Sequence, residues 1–266
     1  MKVRILAWIT FLALLRNRLI VLFFGGFLCI VLLMMMPLMT FKSMGSDDPA
    51  GSQGMIIGLI TAIMSMASGF GSLLAAWSAA DAVASEMKTG TIMAVMARPV
   101  RRWEFLLGKY CGVLMLMAIY IVFMFAVTNI LAWVGGTRLV TNSWVLFVYP
   151  LVRYGIYAAL AIWLVTVMHA IFAFVIVLVV SVLASLSAPS STGVAFLPEW
   201  LHRGLFYLLP STDLLSETNF LAITSSNLRP VPWTQHLTAL TYGLDTALVC
   251  FLLAAWAFRH RGLTRE

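Results

Sequence analysis

The chain has 266 residues, of which 62% are hydrophobic and only 10% charged, and its mean hydropathy is +0.99. This composition excludes an ordinary soluble domain, and so much apolar surface also excludes intrinsic disorder. A formal net charge of +7 could indicate nucleic acid binding. The basic residues, however, flank apolar segments instead of forming one soluble basic face, so we expect contact with lipid headgroups and no nucleic acid partner.

Residues 1–18 have basic ends and a bulky apolar middle, which predicts an interfacial helix at the membrane surface. A cleavable signal is disfavoured, because the basic residues extend to Arg18 and no A-x-A site follows the first apolar run. The segment could equally be a passive anchor for the first span or have an active role.

Six apolar runs follow, each close to the roughly 20 residues that a helix needs to cross a bilayer. Only helices satisfy their own backbone groups in hydrocarbon, so we expect an all-α integral membrane protein, with residues 1–266 forming a single transmembrane domain. The fourth and fifth spans share one apolar tract, in which His169 is the expected turn. The predicted spans are residues 19–39, 55–80, 110–134, 145–167, 170–187 and 237–258.

Residues 81–109 form a charged loop between the second and third spans. Gly90 suits a helix C-cap and Thr91 an N-cap, while Pro99 would end a short helix after Arg98. The pattern therefore predicts a short helix at the membrane surface, with one apolar face suited to docking on a partner. That face consists of Ile92, Val95 and Met96.

The segment before the last span, residues 188–236, is too polar and too rich in proline to cross the membrane again. We expect short helices that dip into the outer leaflet, because irregular backbone at that depth must be buried in protein or wet.

Lysine and arginine residues are distributed asymmetrically between the two sides of the predicted spans. If both termini lie inside, twelve of these residues are cytoplasmic, four are outside and Arg153 is within the bilayer. The positive-inside rule therefore predicts a multi-pass protein of the cytoplasmic membrane with both termini in the cytoplasm. The four outside residues are Lys42, Arg138, Arg203 and Arg229.

The sequence lacks the common catalytic patterns. Gly108-Lys109 is followed by Tyr110 and lacks the upstream glycine of a phosphate-binding loop, so the chain is not expected to hydrolyse ATP itself. No H-E-x-x-H or G-x-S-x-G occurs, and the three cysteines have no C-x-x-C spacing. We therefore predict no catalytic residue, no metal and no cofactor in this chain.

Two other clusters have both structural and functional interpretations. Small residues recur every fourth position in the second span, which favours close helix packing over substrate contact; they are Ser68, Ser72, Ala76 and Ala80. Four methionines cluster late in the first span, where packing is favoured over a soft-metal site because no histidine or cysteine accompanies them. They are Met34, Met35, Met36 and Met39.

The charged loop also resembles a family motif, E-x-x-x-G-T … P-[VI]-x-R-W-E-x-x-x-G-K, typical of permease subunits of type-2 ABC exporters. The matching residues are Glu86, Gly90, Thr91, Pro99, Val100, Arg102, Trp103, Glu104, Gly108 and Lys109. The six spans, the loop after the second span and the proline-rich segment before the last match the family along the whole chain. One departure is IMAVMA after Gly90-Thr91, where the family often has a leucine-rich run.

The resemblance implies a permease that forms the translocation pathway with a second permease subunit, identical or related. Each loop helix would dock onto one of two separate ABC-type ATPase subunits, which would bind ATP and Mg. The implied coupling helix is about residues 91–98, with Glu86 and Arg102 as polar anchors. The implied direction is export, whereas the substrate stays open, with an apolar or amphipathic molecule as the default.

Arg153 and Asp245 are the two charges deep in the predicted spans. Each lies about 12 Å from the outer boundary, where an unpaired charge costs at least about 2 kcal/mol. We expect a salt bridge between them, within one subunit or across the cavity; the alternative is that each reaches the outer headgroups. A secondary transporter, which would need more intramembrane charges, and a membrane-embedded enzyme, which would need a convergent polar site, are the alternative functions.

Overall fold

The structure is a computed structural model that describes residues 2–44, 49–89, 101–136, 139–140, 145–186, 210, 215, 222–223 and 233–260. Seven helices account for nearly all of these residues. They are α1 (Lys2–Leu15), α2 (Arg18–Met44), α3 (Pro49–Thr89), α4 (Arg102–Gly135), α5 (Val145–Val167), α6 (Ala170–Leu186) and α7 (Trp233–His260).

Within the described ranges, five helices are long and apolar enough to cross a membrane: α2, α3, α4, α5 and α7. The predicted fifth span is α6, an apolar helix of 17 residues, which at 1.5 Å per residue spans about 25 Å. That length is slightly less than the roughly 30 Å of a hydrocarbon core. The all-helical class is therefore confirmed, whereas the count of six spans stays a prediction.

Helix α5 is the centre of the bundle, packing against α3, α4, α6 and α7. Its predicted separation from α6 is confirmed: the helix ends at Val167, and Ala170 begins the next. Most of α5 is buried, including Tyr149, Tyr154 and Tyr157. Large exposed apolar side chains are most numerous on α2 and α7 and also occur on α1, α4 and α6.

Two pairs of residues form a short antiparallel ladder, β1 (Leu139–Val140) with β2 (Ala222–Ile223). The ladder joins the α4–α5 connection to the segment before α7. For this segment the sequence predicted short helices; residues 222–223 are a strand instead, and most of the segment lies outside the described residues. Gly136 ends α4 at φ 71°, the left-handed conformation that glycine adopts without steric penalty.

Helix α1 packs along the start of α4 at two glycines spaced four residues apart. A Cβ atom at Gly108 would lie 2.6 Å from the Cβ of Leu6, and one at Gly112 would lie 2.7 Å from the Cβ of Thr10. Small residues at this spacing let two helices approach closely. Most of the predicted interfacial segment is thus a helix, Lys2–Leu15, which packs on α4 at Gly108 and Gly112. Its position at the membrane surface stays a prediction.

Candidate functional site

The candidate coupling site is the loop between α3 and α4, and the structure describes its two ends. The predicted coupling helix, residues 91–98, lies outside the described residues, as do Gly90 and Pro99. Glu86 lies near the end of α3, and Arg101 precedes the first residue of α4. Residues 81–109 were predicted as loop, but residues 81–89 are the last part of α3 and residues 102–109 are the first part of α4, so both helices extend beyond their apolar parts.

An ion pair joins the two ends of this loop. The ammonium of Lys109 on α4 donates a hydrogen bond to Oε1 of Glu86 on α3. The Lys109 side chain is 6% exposed and that of Glu86 25%. Removing one partner of a buried pair leaves an uncompensated charge, which costs about 3–5 kcal/mol. The pair therefore fastens α3 to α4 close to the loop, about one turn before the end of α3 and about two turns after the start of α4.

Arg102 connects the same region to the end of α7. Its Nη1 donates to the backbone oxygens of Phe258 at 3.2 Å and Arg259 at 2.9 Å. The last carbonyls of a helix lack partners within the helix and carry partial negative charge, so a guanidinium there is favourable. Beneath this contact the ring of Phe105 stacks on Phe258 with centroids 6.1 Å apart. Arg102 thus has an intrasubunit role, and its role toward an ATPase stays a prediction.

Glu104 helps to begin α4. Its Oε2 accepts a hydrogen bond of 2.9 Å from the backbone N–H of Arg101, one of the donors that a helix start leaves unpaired. This reach of an N3 glutamate back to the N-cap residue is half of a capping box. Glu104, a residue of the family motif, therefore stabilises the first turn of α4, the helix that follows the loop.

Asn17 connects the turn between α1 and α2 to α3. Its Oδ1 accepts the backbone N–H of Leu19 at 3.1 Å, which caps α2, and its Nδ2 donates to Oδ2 of Asp81 at 2.9 Å. Sequence analysis missed both residues. An asparagine between two apolar helical runs is an N-cap signal that could have identified Asn17, but nothing local indicates Asp81 as its partner.

A polar layer lies deeper in the bundle, between α3, α4 and α5. The Nη1 of Arg153 donates to Oγ of buried Ser68 at 2.8 Å, and the Tyr120 hydroxyl donates to the oxygen of Ala67 at 2.7 Å. The four small residues at every fourth position of α3 are all buried, which confirms their predicted role in helix packing; they are Ser68, Ser72, Ala76 and Ala80. Arg153 is half-buried, so α3 compensates part of the cost of placing this charge within the bundle.

Among the described residues, the predicted ion pair of Arg153 with Asp245 is not found within one subunit. Gly243 faces α5, where an added Cβ would lie 2.5 Å from Cγ1 of Val152. Asp245 is two residues further along α7, about 200° around the helix, and is exposed. The two charges therefore point away from each other, because the Gly243 face is the one that packs on α5. A pair across two subunits stays a prediction.

Another buried polar contact ties α5 to α7 near the first turns of the two helices. The Tyr149 hydroxyl and Nδ1 of His236 are 2.7 Å apart, and both residues are buried. No sequence motif indicates this pair, because its members are 87 positions apart. A polar contact of this kind in an apolar bundle has few alternative partners, so it specifies the pairing of the two helices.

The methionine cluster shows no common site. Met34 and Met35 pack against the core, whereas Met36 and Met39 are exposed. Among the described residues, no three His, Cys, Asp or Glu side chains form a group that could hold a metal ion. Packing therefore accounts for two of the four methionines.

The apolar helices that could cross a membrane define the class of this chain, a multi-pass membrane protein. Over residues 4–263 the chain matches the family model described as ABC-2 family transporter protein. It belongs to that family and is an ABC transporter permease, a transport component that is not itself the catalyst. Proteins of this family normally work with ABC ATPase subunits. No curated protein matches the sequence.

Proposed function

We propose that this chain is the translocation subunit of an ATP-driven exporter. Two permease subunits, either two copies of this chain or this chain and a related one, would pair around a central pathway. Each would dock residues 91–98 onto one of two ATPase subunits, and the ATP and Mg would be bound there. Each permease would cross the cytoplasmic membrane six times, with α6 as the fifth span and both termini in the cytoplasm.

The ion pair between Lys109 and Glu86 carries this proposal. A coupling element must transmit force, and a loop does so only if the helices at its two ends respond together. The ion pair fastens those helices, and Arg102 adds the end of α7 through two hydrogen bonds. A push on the loop from an ATPase would therefore displace α3, α4 and α7 as one unit.

Interdigitated cores respond to such a displacement by switching between arrangements, because they are densely packed and do not deform continuously. Helices α3 and α4 both pack on α5, so a movement of their loop ends reaches the centre of the bundle. The polar layer at Arg153 and Ser68 lies on this route.

Co-purification tests the proposal. The tagged chain, extracted in mild detergent, is expected to retain an ATPase with a phosphate-binding loop, and the complex is expected to hydrolyse ATP. The control is the same complex with a partner ATPase whose phosphate-binding-loop lysine is substituted, so that the partner cannot hydrolyse ATP. Activity that remains in this complex comes from contaminating ATPases. A chain that purifies alone under several mild detergents, with no ATPase activity, would contradict the proposal.

A further inference from the structure

A cavity of about 490 Å³ lies between the outer side of α1 and α4. Its volume is within the range of small-molecule sites, about 300–1,000 Å³. The surface of the cavity is almost entirely apolar, with one charged residue, Arg4. It is lined by Arg4, Ile5, Ala7, Trp8 and Met115.

We propose that this cavity binds an anionic phospholipid, with the phosphate at Arg4 and one acyl chain along α4. The proposal needs only the membrane setting of the chain, and it is independent of ATP coupling.

The apolar path for the acyl chain continues beyond the cavity. Met115, Ile119 and Val122 are exposed and follow one another at intervals of four and three residues, so they lie on one face of α4. From Met115 to Val122 this face extends about 10 Å along the helix. An acyl chain that starts in the cavity would cover these side chains.

The headgroup end has the chemistry for an anion at a membrane surface. Arg4 is exposed, and its guanidinium forms no hydrogen bond or ion pair with the described part of the chain. Trp8 lies one helical turn away, is 53% exposed and contacts Phe11 at a centroid distance of 5.6 Å. Tryptophan prefers the headgroup level of a bilayer, and basic pockets between membrane helices bind acidic headgroups.

The close approach of α1 to α4 keeps the cavity in place. Gly108 and Gly112 let α1 approach α4 on one side, while Arg4, Ile5 and Trp8 face outward on the other. The lipid would fill the space that this approach leaves open.

Native mass spectrometry of the purified full chain in detergent tests the site. The protein is titrated with phosphatidylglycerol or with phosphatidylcholine carrying the same acyl chains. We expect tighter retention of one phosphatidylglycerol. In Arg4→Gln its affinity should fall about fivefold, the contribution of one basic residue at an anionic surface. In Met115→Trp, which fills the cavity without changing charge, both lipids should be lost.

Arg18→Gln is the matched control, because Arg18 is exposed, carries the same charge and does not line the cavity. Equal losses in Arg4→Gln and Arg18→Gln would mean diffuse attraction to the surface and would overturn the proposal. Unchanged lipid retention in Met115→Trp would place the lipid elsewhere. If Trp8→Ala converted a dimer to a monomer, the cavity would be the contact site of a second copy of this chain, and the lipid proposal would be overturned.

Discussion

Lys109 and Glu86 are 23 positions apart in the sequence, and their side chains form a hydrogen-bonded ion pair that joins α4 to α3, the two helices that flank the charged loop. Both residues belong to the motif by which the sequence resembles type-2 ABC exporters. The contact gives them a role inside the subunit, because it aligns the two helices that any coupling helix between them would move.

Breaking this pair should destabilise the subunit. Lys109→Met removes the ammonium group that pairs with Glu86, and we expect a loss of about 3 kcal/mol, at the lower end for buried pairs because Glu86 is partly exposed. The measurement is the melting temperature in detergent. The double variant Lys109→Met/Glu86→Gln, which removes both charges, should recover part of the loss; additive effects of the two substitutions would show that the residues are not coupled.

The predicted coupling helix has an apolar face that a charge should disrupt. Ile92→Asp is expected to leave membrane insertion unchanged and to abolish substrate-stimulated ATP hydrolysis, because it places a carboxylate on the docking face. The matched control is Ala94→Asp, which adds the same charge about 200° away on the predicted helix. Full stimulated activity in Ile92→Asp would rule out this docking face.

A methyl group at the contact of α1 with α4 should be costly. In Gly112→Ala the new Cβ would lie 2.7 Å from Cβ of Thr10 and 2.8 Å from the backbone oxygen of Ala7. Overpacking of this kind costs about 1–3 kcal/mol, so we expect a lower melting temperature. Gly26→Ala is the control, since Gly26 has no atom within 4 Å of the added Cβ. Unchanged stability of Gly112→Ala would mean that α1 does not pack here.

The position of Arg153 predicts a coupling pattern that can be measured. Arg153→Ala and Ser68→Ala should be non-additive, because the two side chains share a hydrogen bond of 2.8 Å. Arg153 and Asp245 should be additive in the isolated subunit. If the charges pair across two subunits, the charge-swapped double variant should recover stability only in the assembled dimer. Additivity of Arg153→Ala with Ser68→Ala would contradict the observed contact.

Membrane orientation can be tested with cysteines placed outside the candidate spans, in a variant that lacks the native cysteines. Cysteine at Ser52 or Ser226 should react with an impermeant thiol reagent added outside whole cells, whereas cysteine at Thr89 should react only after the membrane is opened. The reason is the excess of basic residues on the Thr89 side. Labelling of Thr89→Cys from outside would reverse the orientation.

The sequence by itself determined the membrane class, the helical spans and the family motif. Transfer of an apolar run into hydrocarbon depends on the run's own composition, so local hydropathy was enough to locate five of the six predicted spans among helices that could cross a membrane. Hydropathy was less informative about helix ends. Helix α4 begins at Arg102, eight residues before the predicted span, because a helix continues into water where capping contacts such as that of Glu104 satisfy its first donors.

Only the tertiary structure decided which side chains meet. Arg153 could have paired with Asp245 by depth alone, but the packing of Gly243 on α5 turns Asp245 outward, and Arg153 donates a hydrogen bond to Ser68. Likewise, the family motif contains Lys109 and Arg102 but does not indicate their partners, which are Glu86 and the end of α7. These contacts join residues that are 23 to 157 positions apart, and they form because whole helix faces pack together, which no local pattern specifies.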